Sequence, residues 1–421
     1  MPTPSRRDFL KSTVACAAVT AAGAADQPNE RVVVAVMGVR SRGRDLIRGF
    51  SAFDDVEIAY ICDVDASVVP AALQSVRARQ KGTPKVEKDI RRVLEDKSVT
   101  AVAIAAPDHW HALATIWACQ AGKHVYVEKP ISHNLLEGRR MVEAARKYER
   151  VVQVGTQRRS AAHVASAAEF VRAGKLGKVP FARSWIGGDR KTIGKKPDGS
   201  VPEGVDYDLW LGPAPARQFN PNRFHYNWHW FWDYGTGELG NNGIHGLDVA
   251  RAVLGLDAPT RVSSGGGKYF YDDDQQTPDT QIATFEFPNT CLVWEHRIWA
   301  KQDLDGKSWG VSLHGEKGTL TFDDKGWHLT GGVETSDKAG DDMQAKHLRN
   351  FLDCIRSGKR PNADIEEGHN STRLCHLGNI AYRTGRTLNF DAASETVRDD
   401  AEASKLLGRT YRKPFVVPEK V

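Results

Sequence analysis

Tyr126-Val127-Glu128-Lys129-Pro130, with the chain that leads into it, decides the fold. Upstream lie the apolar run Ala101-Val102-Ala103-Ile104-Ala105-Ala106, the break Pro107-Asp108-His109-Trp110-His111, a helical segment from Ala112 to Ala121, and Gly122-Lys123-His124. Strand, turn, helix, glycine cap and strand make one βαβ unit, with Glu128-Lys129-Pro130 at the carboxyl end of its second strand. Ligands of open parallel sheets sit at that end. A lysine there sets a cation beside a reacting hydroxyl, and the proline fixes the backbone as the chain leaves the sheet.

Toward the amino terminus, the β-branched run Arg31-Val32-Val33-Val34-Ala35-Val36-Met37 precedes Gly38-Val39-Arg40-Ser41-Arg42-Gly43 and a helical pattern through Phe50. A second run, Val56 to Cys62, ends on Asp63, 25 positions after Gly38. This is the dinucleotide arrangement: the helix amino terminus receives the pyrophosphate and the carboxylate accepts from ribose hydroxyls. The six residues of the turn and Asp63 are therefore cofactor-binding candidates. Arg40 departs from the pattern, standing where a second glycine would let the backbone approach the phosphates. Asp63 repels a 2′-phosphate and favours NAD, whereas Arg40 and Arg42 suit NADP. NAD is the expectation, and a doubly wound sheet without nucleotide the plain alternative.

Ser5-Arg6-Arg7-Asp8-Phe9-Leu10-Lys11, followed by a mild Ala-rich run to Ala25, resembles a twin-arginine export signal; a disordered basic terminus is the plain alternative. The run is too short to remain as a membrane span. The signal implies a chain that folds around its cofactor before leaving the cytoplasm for the periplasm, with no membrane anchor after cleavage. We expect a signal peptide and linker over 1–30, a nucleotide-binding domain over 31–153 and a substrate-binding and oligomerisation domain over 154–421. With 421 residues, 40% of them hydrophobic and 26% charged, the chain is long enough for two cores. The net charge is +5, and about +3 without the leader, which demands no nucleic-acid partner. The six cysteines are scattered without metal-ligand spacing and read as small buried residues.

Downstream, Arg139 to Lys147 is an amphipathic helix, and Val151 to Gly155 a strand ending in Thr156-Gln157-Arg158-Arg159-Ser160. That end is the expected seam, with Gln157 toward a nicotinamide and Arg158 toward substrate hydroxyls; Arg159 could equally be a solvated helix start and is left out of the site. Gly187 to Asp206 reads as a long loop. Next, Phe224-His225-Tyr226-Asn227-Trp228-His229-Trp230-Phe231-Trp232-Asp233-Tyr234 alternates three tryptophans, which an extended chain would place on one face. Such a face suits a sugar ring, with Trp230 as its candidate contact; a core or oligomer contact is the bland alternative.

Gly237 opens a helix running to Leu254 and capped by Gly255. Asn241, His245 and Asp248, four and three apart, share a face and are candidates for the substrate. His245 can then serve as general base, with Lys129 stabilising the alkoxide. His225, His229, His245 and Asp233 could be assembled into a metal site, but no ligand spacing requires it and none is expected. Runs at Thr280–Phe287, Thr290–Arg297, Trp309–His314 and Gly318–Phe322 suggest a mainly antiparallel sheet covered by helices Lys346–Ser357 and His369–Thr384. Gly265-Gly266-Gly267 and Asp272-Asp273-Asp274 read as turns.

Taken in order, the nucleotide turn, Pro107 with His111, Gly122-Lys123 leading to Glu128-Lys129-Pro130, and Gly240-Asn241-Asn242-Gly243-Ile244-His245-Gly246-Leu247-Asp248 make the chain resemble the Gfo/Idh/MocA oxidoreductase family from residue 31 to about 390. Its exported, twin-arginine-bearing members are the nearest likeness. The resemblance implies an α/β fold: a Rossmann doubly wound parallel sheet, then an α/β domain whose large open sheet often serves homo-oligomers. It places Pro107, His111, Glu128 and Lys129 along the cofactor, with Lys129 on the oxidised hydroxyl. The family commonly has Asp where this chain has Asn241, which removes a charge beside His245. The expected function is NAD-dependent oxidoreduction at a hydroxyl of a sugar, glycoside or cyclitol, with a tightly held, recycled cofactor. Two alternatives stay open: glycoside cleavage through transient oxidation and elimination, and sugar or nucleotide binding without turnover.

Overall fold

The computed structural model describes residues 31–421 apart from 301–305, 324, 334 and 341. The expected export signal lies outside the described residues. Six strands, β1 (Val32–Met37), β2 (Val56–Cys62), β3 (Lys85–Glu87), β4 (Ala101–Ile104), β5 (His124–Val127) and β6 (Val152–Val154), form a wholly parallel sheet in the order β3-β2-β1-β4-β5-β6. Helices α1 (Arg42–Phe50), α2 (Val69–Arg77), α3 (Ile90–Glu95), α4 (Asp108–Gln120) and α5 (Leu135–Lys147) make the crossovers. Near-continuous burial along β4 and β5 follows, because both sheet faces are covered. Gly38 ends β1 with φ +79°, and a Cβ there would stand 2.7 Å from the Ala105 backbone. A Cβ on Gly43 would stand 1.8 Å from the Gly38 oxygen, so α1 packs on the turn only as glycine.

After α6 (Ala162–Arg172) a ten-stranded sheet is laid down. Its strands are β7 (Phe181–Gly187), β8 (Arg261–Gly267), β9 (Thr280–Glu286), β10 (Cys291–Arg297), β11 (Trp309–Gly315), β12 (Gly318–Asp323), β13 (Gly326–Thr330), β14 (Ser336–Lys338), β15 (Leu388–Asp391) and β16 (Thr396–Arg398). Their order is β14-β13-β12-β11-β7-β10-β9-β8-β15-β16, antiparallel except where β7 meets β10. Between β7 and β8 lie the short α7 (Tyr207–Leu211) and α8 (Ile244–Leu254), the latter ending on left-handed Gly255 as its sequence requires. After β14 come α9 (Met343–Ser357) and α10 (Ile365–Thr384), capped by Asp342 and Asp364, which stand ahead of the expected starts at Lys346 and His369.

Three expectations are corrected. Gly265-Gly266-Gly267 is no turn but the end of β8, paired with Ile282, Gln281 and Thr280; a Cβ on Gly266 would stand 2.1 Å from the Thr280 oxygen. The three alternating tryptophans do not share a face, because Asn227–Trp230 is a 3₁₀ turn rather than extended chain. Arg159 is no solvated helix start, since its guanidinium Nε holds the Asp248 carboxylate at 2.8 and 3.0 Å. The helix α9, which follows the second sheet, returns to the first: Leu348, Phe351 and Leu352 join Phe50 and Tyr126 in one buried cluster. Of the described cysteines, 62, 119, 354 and 375 are buried and none is in a disulfide. No helix among the described residues is long and apolar enough to cross a membrane.

Candidate active site

The carboxyl ends of β1, β2, β4 and β5 open on a cavity of about 360 Å³ whose far wall comes from the 209–245 segment. Ligands of parallel sheets bind at such strand ends because the loops there diverge. Gly38, Arg40, Ser41 and Arg42 line one end beside Asp63, with Val39 and Gly43 buried behind them. Ser41 places no side-chain cap on α1, so the first N–H groups of that helix are left for an anion. Asp63 Oδ2 accepts from the Val39 N–H at 2.7 Å and Oδ1 from the Asp65 N–H at 3.0 Å, which aims the carboxylate across the turn.

Pro107, His111, Glu128, Lys129 and Gln157 line the middle. The His111 ring nitrogens stand 2.7 Å from the carbonyl oxygens of Pro130 and Ala106, tying the ends of β4 and β5 together. Glu128 Oε1 accepts from Arg42 Nε at 2.7 Å, and a Cβ on Gly155 would stand 2.7 Å from that carboxylate, so Gly155 makes room for it. Gln157 Oε1 is buried with no partner among the described residues. A carboxamide N–H of a nicotinamide is the kind of donor that oxygen lacks. The uncapped helix, the acidic residue after β2 and this orphan acceptor together fit NAD.

Lys129 is drawn out of solvent and donates to Asn241, 2.6 Å to the carbonyl oxygen and 3.2 Å to Oδ1. Burial lowers its pKa, against the pull of the Glu128, Asp108 and Glu238 carboxylates. Asn241 sits in a π turn, Leu239–Gly243, that runs into α8 and carries His245 to the same cavity. Burial holds the His245 imidazole neutral, helped by the Lys129, Arg158 and Arg42 cations, and its Nδ1 is buried without a partner among the described residues. Asn241 thus serves Lys129 and leaves His245 without the orienting group that an aspartate would supply.

Three expected substrate residues lie off the cavity wall. Asp248 is one turn deeper on α8, 1% exposed, accepting from Arg159 and, at 2.6 Å, from Ser371 Oγ. The Arg158 guanidinium lies 3.7 Å from the centroid of the Trp309 ring. Trp230 is buried under the Arg190 guanidinium, which is paired with Glu238. In their place the wall presents Tyr226, Trp228 and His229, from the aromatic stretch that sequence had marked as a whole, and Asp108, from the break before α4. An acidic residue in the first turn of a helix that opens at a strand's carboxyl end was the signal for Asp108. Of the residues considered for a metal, His225 is paired with Asp65 at 2.5 Å and Asp233 with Arg217 at 2.5 Å.

A doubly wound parallel sheet, a fitted dinucleotide cradle and a helix, α8, that brings an imidazole to the same cavity define a nucleotide-linked oxidoreductase. Residues 32–156 match the NAD-binding Rossmann fold of the Gfo/Idh/MocA oxidoreductases, and 180–417 match their C-terminal alpha/beta domain. The chain belongs to this family. Residues 3–23 match the signal sequence of the twin-arginine translocation pathway, which directs export by that route. Myo-inositol 2-dehydrogenase of Thermotoga maritima is 29% identical over 376 residues, 85% of this chain and 98% of that protein. Among solved structures, the aldose-aldose oxidoreductase of Caulobacter crescentus in complex with glycerol superposes with a TM-score of 0.66 at 20% identity, over 86% of this chain and 100% of that one. A levoglucosan dehydrogenase in complex with NADH and levoglucosan does so with 0.65 at 17%, over 87% and 99%.

Proposed function

We propose that the chain transfers a hydride between NAD and one hydroxyl of a sugar, glycoside or cyclitol, and that it keeps the nucleotide through successive turnovers in the periplasm. The observation that carries this reading is the convergence of a half-buried ammonium, Lys129, and an imidazole, His245, on one cavity at the carboxyl ends of the first sheet. NAD, when bound, supplies the hydride acceptor. Lys129 donates to the carbinol oxygen and stabilises negative charge as it develops, while the neutral His245 accepts the hydroxyl proton. Glu128, held by Arg42, and Gln157 orient the ring beside them. The related sugar and polyol dehydrogenases support the substrate class.

Retention of the nucleotide is supported by a strap that crosses the end of β2. Ala66 donates its N–H to Gly204 at 3.3 Å, Asp206 donates to Val64 at 2.9 Å, and His225 is paired with Asp65. The open ten-stranded sheet is the surface through which we expect copies to associate.

The test is to release and identify the nucleotide from natively exported protein, then follow reduced-nicotinamide absorbance on adding levoglucosan, methyl β-D-glucopyranoside and myo-inositol. Lys129→Ala should slow the absorbance change by about 10²- to 10⁴-fold. Oxidised sugar as net product supports the reading; a cleaved glycoside of unchanged redox state replaces it with oxidation-assisted elimination. Sugar binding without any absorbance change makes the protein a binder and sinks the proposal.

A further inference from the structure

Four imidazoles line the cavity, and their ring nitrogens are engaged differently. His111 has both nitrogens against carbonyl oxygens, His225 gives its Nε2 to Asp65 under the strap, and His245 has no partner for its Nδ1 among the described residues. His229 differs. Its Nδ1 lies against the Tyr226 carbonyl oxygen, which only accepts, so Nδ1 carries the proton and donates. A neutral imidazole with its proton on Nδ1 has its lone pair on Nε2. Among the described residues no group is hydrogen-bonded to that Nε2.

The ring is also fixed in place. It stacks on Trp228 with 3.6 Å between centroids and 17° between planes. Its backbone is clamped from behind by Gly235, where a Cβ would stand 2.6 Å from His229 Cα. Burial, with the Lys129 and Arg190 cations, pushes the His229 pKa down to about 3, so the ring stays uncharged. An acceptor held this way, lining the same cavity as a lysine that only donates, complements a ligand bearing a hydroxyl donor beside its reacting carbinol.

We propose that His229 is a specificity-determining residue whose Nε2 accepts a hydrogen bond from a substrate hydroxyl adjacent to the carbinol served by Lys129 and His245. The inference rests on the sugar or cyclitol reading above. A site built to pair a hydroxyl discriminates strongly against an analogue that lacks it, because the acceptor covered by the bound ligand is left unmatched.

Whichever of methyl β-D-glucopyranoside, levoglucosan and myo-inositol is turned over is compared with its complete set of monodeoxy analogues, in the wild type, His229→Ala and His229→Gln. One deoxy position should lower wild-type kcat/KM by about 10- to 100-fold, and that penalty should shrink to about 3-fold or less in His229→Ala, with the other positions unaffected. His229→Gln, whose amide oxygen can still accept, should recover part of the discrimination and guards against a folding failure of the alanine variant. Quenching of tryptophan fluorescence, to which Trp228 contributes, gives the same comparison for binding. Turnover with wild-type ratios at every position in both variants overturns the role of His229 alone. Absence of turnover by the wild type on all three probes removes the sugar reading, and His229's role falls with it.

Discussion

Asp108 shows a side chain whose behaviour is set by where the fold puts it. It opens α4 at the end of β4, is 2% exposed, and its Oδ2 accepts from Thr236 Oγ1 at 2.8 Å. Burial pushes its pKa up to about 7, against the Thr236 hydrogen bond and the Lys129 cation. An aspartate of the unfolded chain ionises near 3.8, so between 3.8 and about 7 the folded protein holds a proton that the unfolded chain has lost. This contribution to stability is full below the unfolded value and disappears as pH rises through the folded one. Asp108→Asn keeps an acceptor for Thr236 and has nothing to ionise. Chemical denaturation from pH 4 to 8 should show the wild type losing on the order of a few kcal/mol that the variant retains. Parallel pH curves for the two proteins would mean that Asp108 is ionised throughout.

At the scale of elements, the π turn Leu239–Gly243 and α8 decide which polar groups reach the cavity. Gly240 and Gly243 permit the turn, since a Cβ on Gly240 would stand 1.9 Å from Thr236 Oγ1 and one on Gly243 3.0 Å from Leu239. Asn241 and His245 arrive at the cavity, whereas Asp248, on the same side of the helix, lies too deep and binds Arg159 and Ser371. The depth at which α8 sits is set by its contact with β7, where Gly246 faces Ser184 and a Cβ would stand 1.9 Å from the hydroxyl. Ser184 is fully buried, so Gly246→Ala should lower stability by about 1–3 kcal/mol. Adding Ser184→Ala should restore much of that loss, and a thermal-unfolding double-mutant cycle measures it. Additive effects would place the helix–strand contact elsewhere.

For the molecule as a whole, the chain binds its two sheets by returning more than once from the second to the first. The α9 helix returns from the second sheet to pack on the first, and the strap at Gly204–Asp206 and His225 closes over Val64 and Asp65. These contacts lie next to Asp63, and Val64 and His225 line the same cavity as Asp63. Breaking the His225–Asp65 pair removes one charge-assisted hydrogen bond, so His225→Ala should release nucleotide about 10-fold faster or more. Nucleotide content after gel filtration checks this, and equal retention by the variant would relieve the strap of that role.

From the residues in order alone came the parallel sheet, the glycine turn with Asp63, the position of Lys129 at a strand end, and the helix bearing His245. Each of these follows from short-range rules: side-chain alternation, glycine where φ is positive or a Cβ would collide, and the right-handed βαβ crossover. Spacing along a helix or strand tells which face a residue occupies but not how deep that face is buried or what stands opposite. Only tertiary packing therefore decided that Asp248, Arg158 and Trp230 are held by Arg159, Trp309 and Arg190 away from the cavity. The same packing brought Asp108, Trp228 and His229, from segments more than a hundred positions apart, to one wall, because their contacts are non-local.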